Sequence, residues 1–415
     1  EAHASIKGLV RGGKAVESIA AGSEGILILD RTPFYAESGG QVGDTGRIVS
    51  GDNEFTVEDT YKQGKVFLHK GRVVKGEFSI GQSVRAAINT ERRAAIARNH
   101  TATHMLQAAL REVLGAHVQQ QGSFVGEDRL RFDFTHGKAI TEAEMDRIEE
   151  IVNAVVLRDM PLSTDVMETA QAKESGALAF FGEKYDDTVR VVRVGDYSRE
   201  VCAGTHLRAT GEIGLFVITQ EGSVASGVRR IEAATGAHAY RFMKERSRAA
   251  VDVARALNVP VDKISAEVEK RNQRIRELEK ELSRQKMGGI KASIDDIVAS
   301  ADVIAGVKVI ARVMDALDMG LLRANVDLIR EKAQSAVVAL GSASAGKALL
   351  VVGVTPDLVA RGFDAGALVR QISAPIGGSG GGRKDFAQAG GNRPEAFDES
   401  FRILTESVRT HGLRP

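Results

Sequence analysis

Two short spacings carry the chemistry of this 415-residue chain. In His100-Thr-Ala-Thr-His104 two imidazoles stand four residues apart; on a helix such positions share one face, so both rings can reach a single ion. Cys202-Ala-Gly-Thr-His206 holds the one cysteine of the chain and a histidine at the same spacing. A histidine taken singly is better read as a satisfied core residue, but two matching pairs of soft and borderline donors point to a Zn²⁺ site. The metalloprotease signature needs Glu after the first His, where Thr101 stands, and the zinc deaminases need a Cys-x-x-Cys pair that one cysteine cannot supply. Four protein ligands also describe a closed structural site, so the spacing leaves structural and catalytic zinc both open.

These side chains need elements to hold them. Ile96, Met105, Leu106, Leu110 and Leu114 recur at helical spacing behind Asn89-Thr90-Glu91, a plausible cap, which puts His100 and His104 on one helix. Ahead of it, residues 25–29, 46–49, 65–68 and 83–88 read as short strands between Gly and Asp turns, a small barrel or sandwich filling 1–90. Mixed α/β text follows over 91–237, the zinc-binding domain, with a helix over 141–159 opened by the capping box Thr141-Glu-Ala-Glu144. Residues 238–288 form a long helical hairpin or coiled arm: Ile264, Val268, Ile275, Leu278 and Leu282 trace a heptad seam, and Met287-Gly288-Gly289 ends it. An α/β domain fills 289–415, with strands over 307–313, 336–340 and 348–354 and a helix over 319–332. The expected fold class is thus α+β multidomain.

With 56 basic against 55 acidic residues, the whole chain offers no argument for a nucleic-acid partner. Locally it does: residues 238–287 hold 13 Lys and Arg against 8 Asp and Glu, either a backbone-binding surface or a solvated helix face. Apolar runs such as Leu349–Val354 fall far short of the roughly 18 residues a membrane helix needs. A single cysteine suits a reducing compartment, and a cytoplasmic location is expected. The first residue is Glu1 and not Met, which suggests a piece of a longer protein.

The segment from Thr32 to Gly46, Thr-Pro-Phe-Tyr-Ala-Glu-Ser-Gly-Gly-Gln-Val-Gly-Asp-Thr-Gly, is too rich in hydroxyl, amide and carboxylate groups for an ordinary turn. Together with the His-x-x-x-His helix, residues 115–123, Arg131-Phe-Asp-Phe134, Cys202-x-x-x-His206 and Gly227-Val-Arg-Arg-Ile-Glu232, it resembles, in order and spacing, the editing domain of the alanyl-tRNA synthetases. The glycine-dense stretch 377–391 resembles the C-terminal domain which that family shares with the DHH phosphoesterases. Ala203 stands where the family commonly has Gly, a change that leaves the ligands intact.

The resemblance implies the C-terminal half of an alanine–tRNA ligase whose aminoacylation domain lies elsewhere in the parent chain. It implies zinc on His100, His104, Cys202 and His206, which with Gln120 would hydrolyse the ester of tRNA(Ala) wrongly charged with serine or glycine. Glu37, Ser38 and Gln41 on the loop, with Gln120, are candidates to read the serine hydroxyl. Arg229 and Arg230 either hold phosphates near the acceptor end or form internal salt bridges. Gly380, Gly381, Gly382, Arg383 and Lys384 lack the P-loop's Gly-Lys-[Ser/Thr] and are expected as a loop cradling tRNA phosphates, in a domain that can also form homodimers. Two rivals stand beside this: a freestanding long-form alanyl-tRNA editing protein, and a non-catalytic tRNA-binding and dimerisation module with structural zinc.

Overall fold

A computed structural model describes residues 1–178, 186–314, 317–344 and 346–412, without side chains at 283–293, 344 and 412. The chain divides into two compact units, Glu1–Val261 and Asp262–Pro415.

The first unit opens with β1 (Ala2–Arg11), β2 (Lys14–Ala15), β3 (Ser18–Ala20), β4 (Glu24–Leu29), β5 (Gly46–Ser50), β6 (Asn53–Gln63), β7 (Val66–Lys75), β8 (Glu77–Ser79) and β9 (Ser83–Ile88). The order β1-β4-β7-β6-β5-β9 closes on itself because β1 also pairs with β9, giving a six-stranded barrel with no free edge. Alternate residues point inward, so Ile6, Leu27, Ile48, Phe55 and Val73 fill it.

His69 on β7 is fully buried: its Nδ1–H donates to the Leu27 carbonyl at 2.9 Å, and its Nε2 accepts from Thr32 Oγ1 at 2.7 Å. Burial pushes its pKa below 6.5, against the opposing bond to Leu27. The unfolded chain therefore takes up the proton first as pH falls, and the stability held by neutral His69 is complete above about pH 6.5 and lost below it. We expect the unfolding midpoint of this unit to fall as the pH drops below about 6.5, and His69→Gln to flatten that slope in thermal melts. An unchanged slope in the variant would assign the loss to other groups.

The unit continues with α1 (Thr90–Leu114), β10 (Gln120–Val125), β11 (Leu130–Thr135), α2 (Glu142–Leu157), β12 (Leu162–Glu168), α3 (Thr169–Glu174), β13 (Thr188–Val194), β14 (Ser198–Val201), β15 (Phe216–Ala225), β16 (Val228–Thr235) and α4 (Gly236–Leu257). Asn89 caps α1, its side chain accepting from Arg92 N, and the Thr141–Glu144 capping box opens α2. The sheet β10-β11-β16-β15 packs against α1 and α2 through Met105, Leu106, Phe132, Phe134, Ile148 and Phe216. A separate sheet, β12-β13-β14, leads straight into Cys202.

The second unit comprises α5 (Ile264–Ala299), β17 (Asp302–Ile304), β18 (Val307–Val313), α6 (Met319–Ala333), β19 (Ala336–Ser344), β20 (Lys347–Val354), α7 (Pro356–Ala360), α8 (Ala365–Ile372), β21 (Ser379–Gly382), β22 (Phe386–Gly391) and α9 (Phe397–Gly412). Its sheet runs β17-β18-β19-β20-β22-β21, and the one parallel pair, β18 and β19, is joined by the α6 crossover. Both faces are covered. Val309, Val337, Leu350 and Val352 face one core, while Ile310, Val338, Leu340 and Val351 face the other, against α6.

The arm expected over 238–288 holds two helices, parted at Asn258, which adopts a left-handed φ of 58° two residues before Pro260, and the units divide here. One expectation needs correction: Gly288-Gly289 does not end the second helix, which runs on to Ala299. Two interior glycines cost about 2 kcal/mol of propensity. Ile294, Ile297 and Val298 pack beyond them into the core beside α6, and that burial offsets the cost. Among the described residues no helix is long and apolar enough to cross a membrane.

Candidate metal centre

Helix α1 presents His100 and His104 on one buried face, their rings stacked with centroids 5.4 Å apart. The segment after β14 folds Cys202 and His206 over them: Cys202 Sγ lies 3.3 Å from both His100 Nε2 and His206 Nε2. The four donor atoms all lie within 4.8 Å of one another. Bonds of about 2.0–2.3 Å to a tetrahedral ion separate its ligand atoms by little more than 3 Å, so these spacings suit one small cation.

Each imidazole is held by its other nitrogen. His100 Nδ1–H donates to Gln41 Oε1 at 2.6 Å, His104 Nδ1 meets Glu200 Oε2 at 2.5 Å, and His206 Nδ1 lies 3.3 Å from Thr101 Oγ1. All three Nε2 atoms are thereby left for the shared point, and His104 Nε2 is buried without any hydrogen-bond partner. That orphaned atom, with the thiol and two further nitrogens beside it, is the donor set a metal ion fits.

The electrostatics agree. Burial pushes the Cys202 thiol up, but the imidazoles of His100, His104 and His206 gathered around it, His100 foremost, outweigh it and hold the group well below its usual range, as a thiolate. Burial, then the charge of His100, lowers His206 to about 3, leaving it a neutral ligand. Burial also opposes charge on His104, yet Glu200 and Cys202 raise it to about 10. The surroundings of His104 Nε2 select a positive charge there, whether proton or metal.

Glycine is required at one place in this turn. A Cβ on Gly204 would lie 2.0 Å from His100 Cε1 and 2.9 Å from Gln41 Oε1, closer than any side chain tolerates. The neighbouring Ala203 lines the adjacent cavity, so the methyl at that position is accommodated. Arg190 braces the turn from β13, its Nη1 donating to the carbonyls of Cys202 at 3.1 Å and Gly204 at 2.6 Å.

A cavity of about 680 Å³ opens beside the centre, lined among others by His100, His104, Cys202, Ser38, Gln120 and Arg190. Ser38 and Gln120 are therefore on the cavity wall. Glu37 is exposed and outside that lining. Gln41 is fully buried and outside that lining, with Oε1 accepting two hydrogen bonds and Nε2 donating one. Arg229 pairs with Glu221, and Arg230 with Asp133 through two bonds of 2.6 and 2.7 Å. Both arginines thus form internal salt bridges, one of the two roles expected for them.

In the second unit the glycine-dense segment is a β-hairpin and not a loop: Gly380, Gly381 and Gly382 lie in β21, paired with Ala389, Gln388 and Ala387 of β22. A Cβ on Gly380 or Gly382 would meet a β22 carbonyl at 2.4 Å, so glycine here permits close strand packing. Arg383 pairs with Asp385 at the turn, and Lys384 lies between them. Glu200 and Arg190 were not anticipated. Neither belongs to a ligand-spaced pair, and each has a charged neighbour in its own strand, Arg193 in β13 and Arg199 in β14, so neither stood out in the sequence.

Three families match stretches of the chain: tRNA synthetases class II (A) over 1–92, the threonyl and alanyl tRNA synthetase second additional domain over 189–232, and the DHHA1 domain over 306–410. Alanine–tRNA ligase of Shewanella loihica is 45% identical over 409 residues, covering 98% of this chain and 47% of that protein. The same enzyme of Idiomarina loihiensis is 44% identical over 402 residues, covering 97% and 46%. The chain thus spans about half the length of the curated relatives it matches. Among solved structures, the C-Ala domain of Aquifex aeolicus alanyl-tRNA synthetase is 26% identical over 26% of this chain and 98% of that one, with a TM-score of 0.26. On the ligase matches and the three domains in this order, the chain belongs to the alanyl-tRNA synthetase family and corresponds to its C-terminal half.

Proposed function

We propose that the first unit is a zinc-dependent editing hydrolase, which removes serine or glycine from mischarged tRNA(Ala), and that the second unit binds the tRNA. One observation carries this: three of the four candidate ligand residues, His100, His104 and Cys202, line an open cavity of about 680 Å³. A purely structural zinc is closed off by its ligands, whereas this centre faces a space of the size that small-molecule sites occupy.

An alanine pocket cannot exclude the smaller glycine and poorly rejects serine, so a second, hydrolytic site is chemically needed. Bound zinc would supply Lewis-acid polarisation of the ester carbonyl or a water of lowered pKa. The protein's own groups do the rest. Gln120 and Ser38 on the cavity wall are placed to hydrogen-bond the aminoacyl group, and alanine, lacking the hydroxyl, would leave such groups unpaired. Arg190 contributes a cation to the wall while holding the Cys202 turn. Arg383 and Lys384 at the β21–β22 turn, with Arg323 on α6 beside them, offer charge to the tRNA backbone.

The test is deacylation of seryl-, glycyl- and alanyl-tRNA(Ala) by the full chain, with and without a chelator and alongside His104→Ala. The expected result is hydrolysis of the first two, sparing of the third, and a loss of at least about 100-fold on chelation or mutation. Folded, metal-loaded protein that binds tRNA but hydrolyses none of them would leave a binding module with structural zinc.

A further inference from the structure

We propose that Gln41, on the barrel loop between β4 and β5, is a positioning residue of the metal centre that ties its helical ligand pair to its turn-borne pair. This rests on the metal site proposed above. Gln41 lies 59 residues from His100 and 164 from Thr205, yet touches both. Its Oε1 accepts from His100 Nδ1–H at 2.6 Å and from Thr205 N–H at 2.9 Å, while its Nε2 donates to Thr205 Oγ1 at 2.9 Å. One amide thereby fixes the ring orientation and tautomer of His100 and the position of the turn between Cys202 and His206. A carboxylate lacks the donor and an alcohol is too short to span the two; an amide supplies both functions at full burial.

The loop is built to deliver it. Ser38 and Gln41 exchange backbone hydrogen bonds of 3.2 and 3.0 Å, and the segment docks on β10 through Val42 N to Val125 O at 3.1 Å and Val125 N to Gly40 O at 2.8 Å. Gly40 has φ +81°, and a Cβ there would lie 2.6 Å from Ser123 O, so glycine lets the loop reach β10. The bare Cα of Gly204 leaves room for Gln41 Oε1 on the other side. The barrel is therefore part of the metal centre and not an appendage to it.

Cobalt titration of the full chain tests this, because Co²⁺ bound by a thiolate and imidazoles reports ligand geometry in its absorption bands, while competition with a chromophoric chelator gives zinc affinity. Gln41→Leu should weaken metal binding about 10- to 100-fold. Gln41→Glu keeps the acceptor for both N–H groups, so it should bind within about threefold of the parent but with shifted cobalt bands, because a carboxylate makes His100 a stronger donor. Parental affinity and spectrum in Gln41→Leu would overturn the proposal. Should that variant fail to fold, Gln41→Glu decides: unmoved cobalt bands mean the side chain does not act through His100. A parent chain that takes up no cobalt or zinc would fail earlier, at the metal site itself.

Discussion

Gly204→Ala is expected to abolish metal binding at the proposed centre, whereas Ala203→Gly should preserve it. The two residues are adjacent and the changes differ by one methyl group, but the surroundings are opposite. At 204 the new Cβ falls 2.0 Å from His100 Cε1 and 2.3 Å from its Nδ1. The ring cannot swing aside without breaking its bond to Gln41, and the turn cannot retreat without losing the Arg190 bonds to the Cys202 and Gly204 carbonyls. Relief of the clash needs a shift of more than 1 Å, while metal–ligand distances tolerate about 0.2 Å. Zinc affinity should therefore fall by about 100-fold or more, and deacylation with it. Zinc per chain after dialysis gives the answer directly, and one tightly held ion in Gly204→Ala would show that the turn yields more easily than its contacts indicate.

The second large effect is expected at Asp44, remote from the ligands but beneath the loop that carries Gln41. Asp44 is 1% exposed; it accepts from Tyr35 N at 2.6 Å, pairs with Arg93 Nε at 2.8 Å and receives a further bond from the same guanidinium. Asp44→Ala leaves Arg93 without its carboxylate and the Tyr35 amide unsatisfied. Breaking a buried pair from one side costs about 3–5 kcal/mol. The Arg93 side chain is 24% exposed and partly rehydrates, so about 2–4 kcal/mol is the better figure. For a unit of this size that lowers the unfolding midpoint by roughly 5–10 °C. The Arg93→Met variant with Asp44→Leu, which removes both charges, should recover much of the loss. A single variant as stable as the parent would mean that the loop is held without this pair.

The strands of the barrel and the helices α1, α2 and α6 were legible because their signals are local. Ser83–Ile88 and Val307–Val313 appear with the expected bounds, and Asn89 and Thr141 cap the helices they were expected to cap. The candidate ligand residues were legible for the same reason: spacing of four within one segment places two donors on one side. Closure of the barrel depends on β1 meeting β9, a pairing across most of the subdomain that no local pattern encodes. The continuation of α5 through Gly288-Gly289 was likewise decided downstream, by Ile294, Ile297 and Val298 in a core to which α6 and three strands contribute.

By itself, the sequence determined which four residues are able to ligate, the type of element carrying each pair, and the family, since all of these rest on residue identity at short or ordered spacing. The tertiary structure alone decided how the remaining polar residues are used. It hydrogen-bonded Gln41 to His100, paired Arg229 and Arg230 internally, placed Glu200 behind His104, and folded the glycine-dense segment into a hairpin. The physical reason is common to all four. A buried polar group must find a partner, and which partner it finds is set by what the fold brings within about 3 Å, from positions that are distant along the chain.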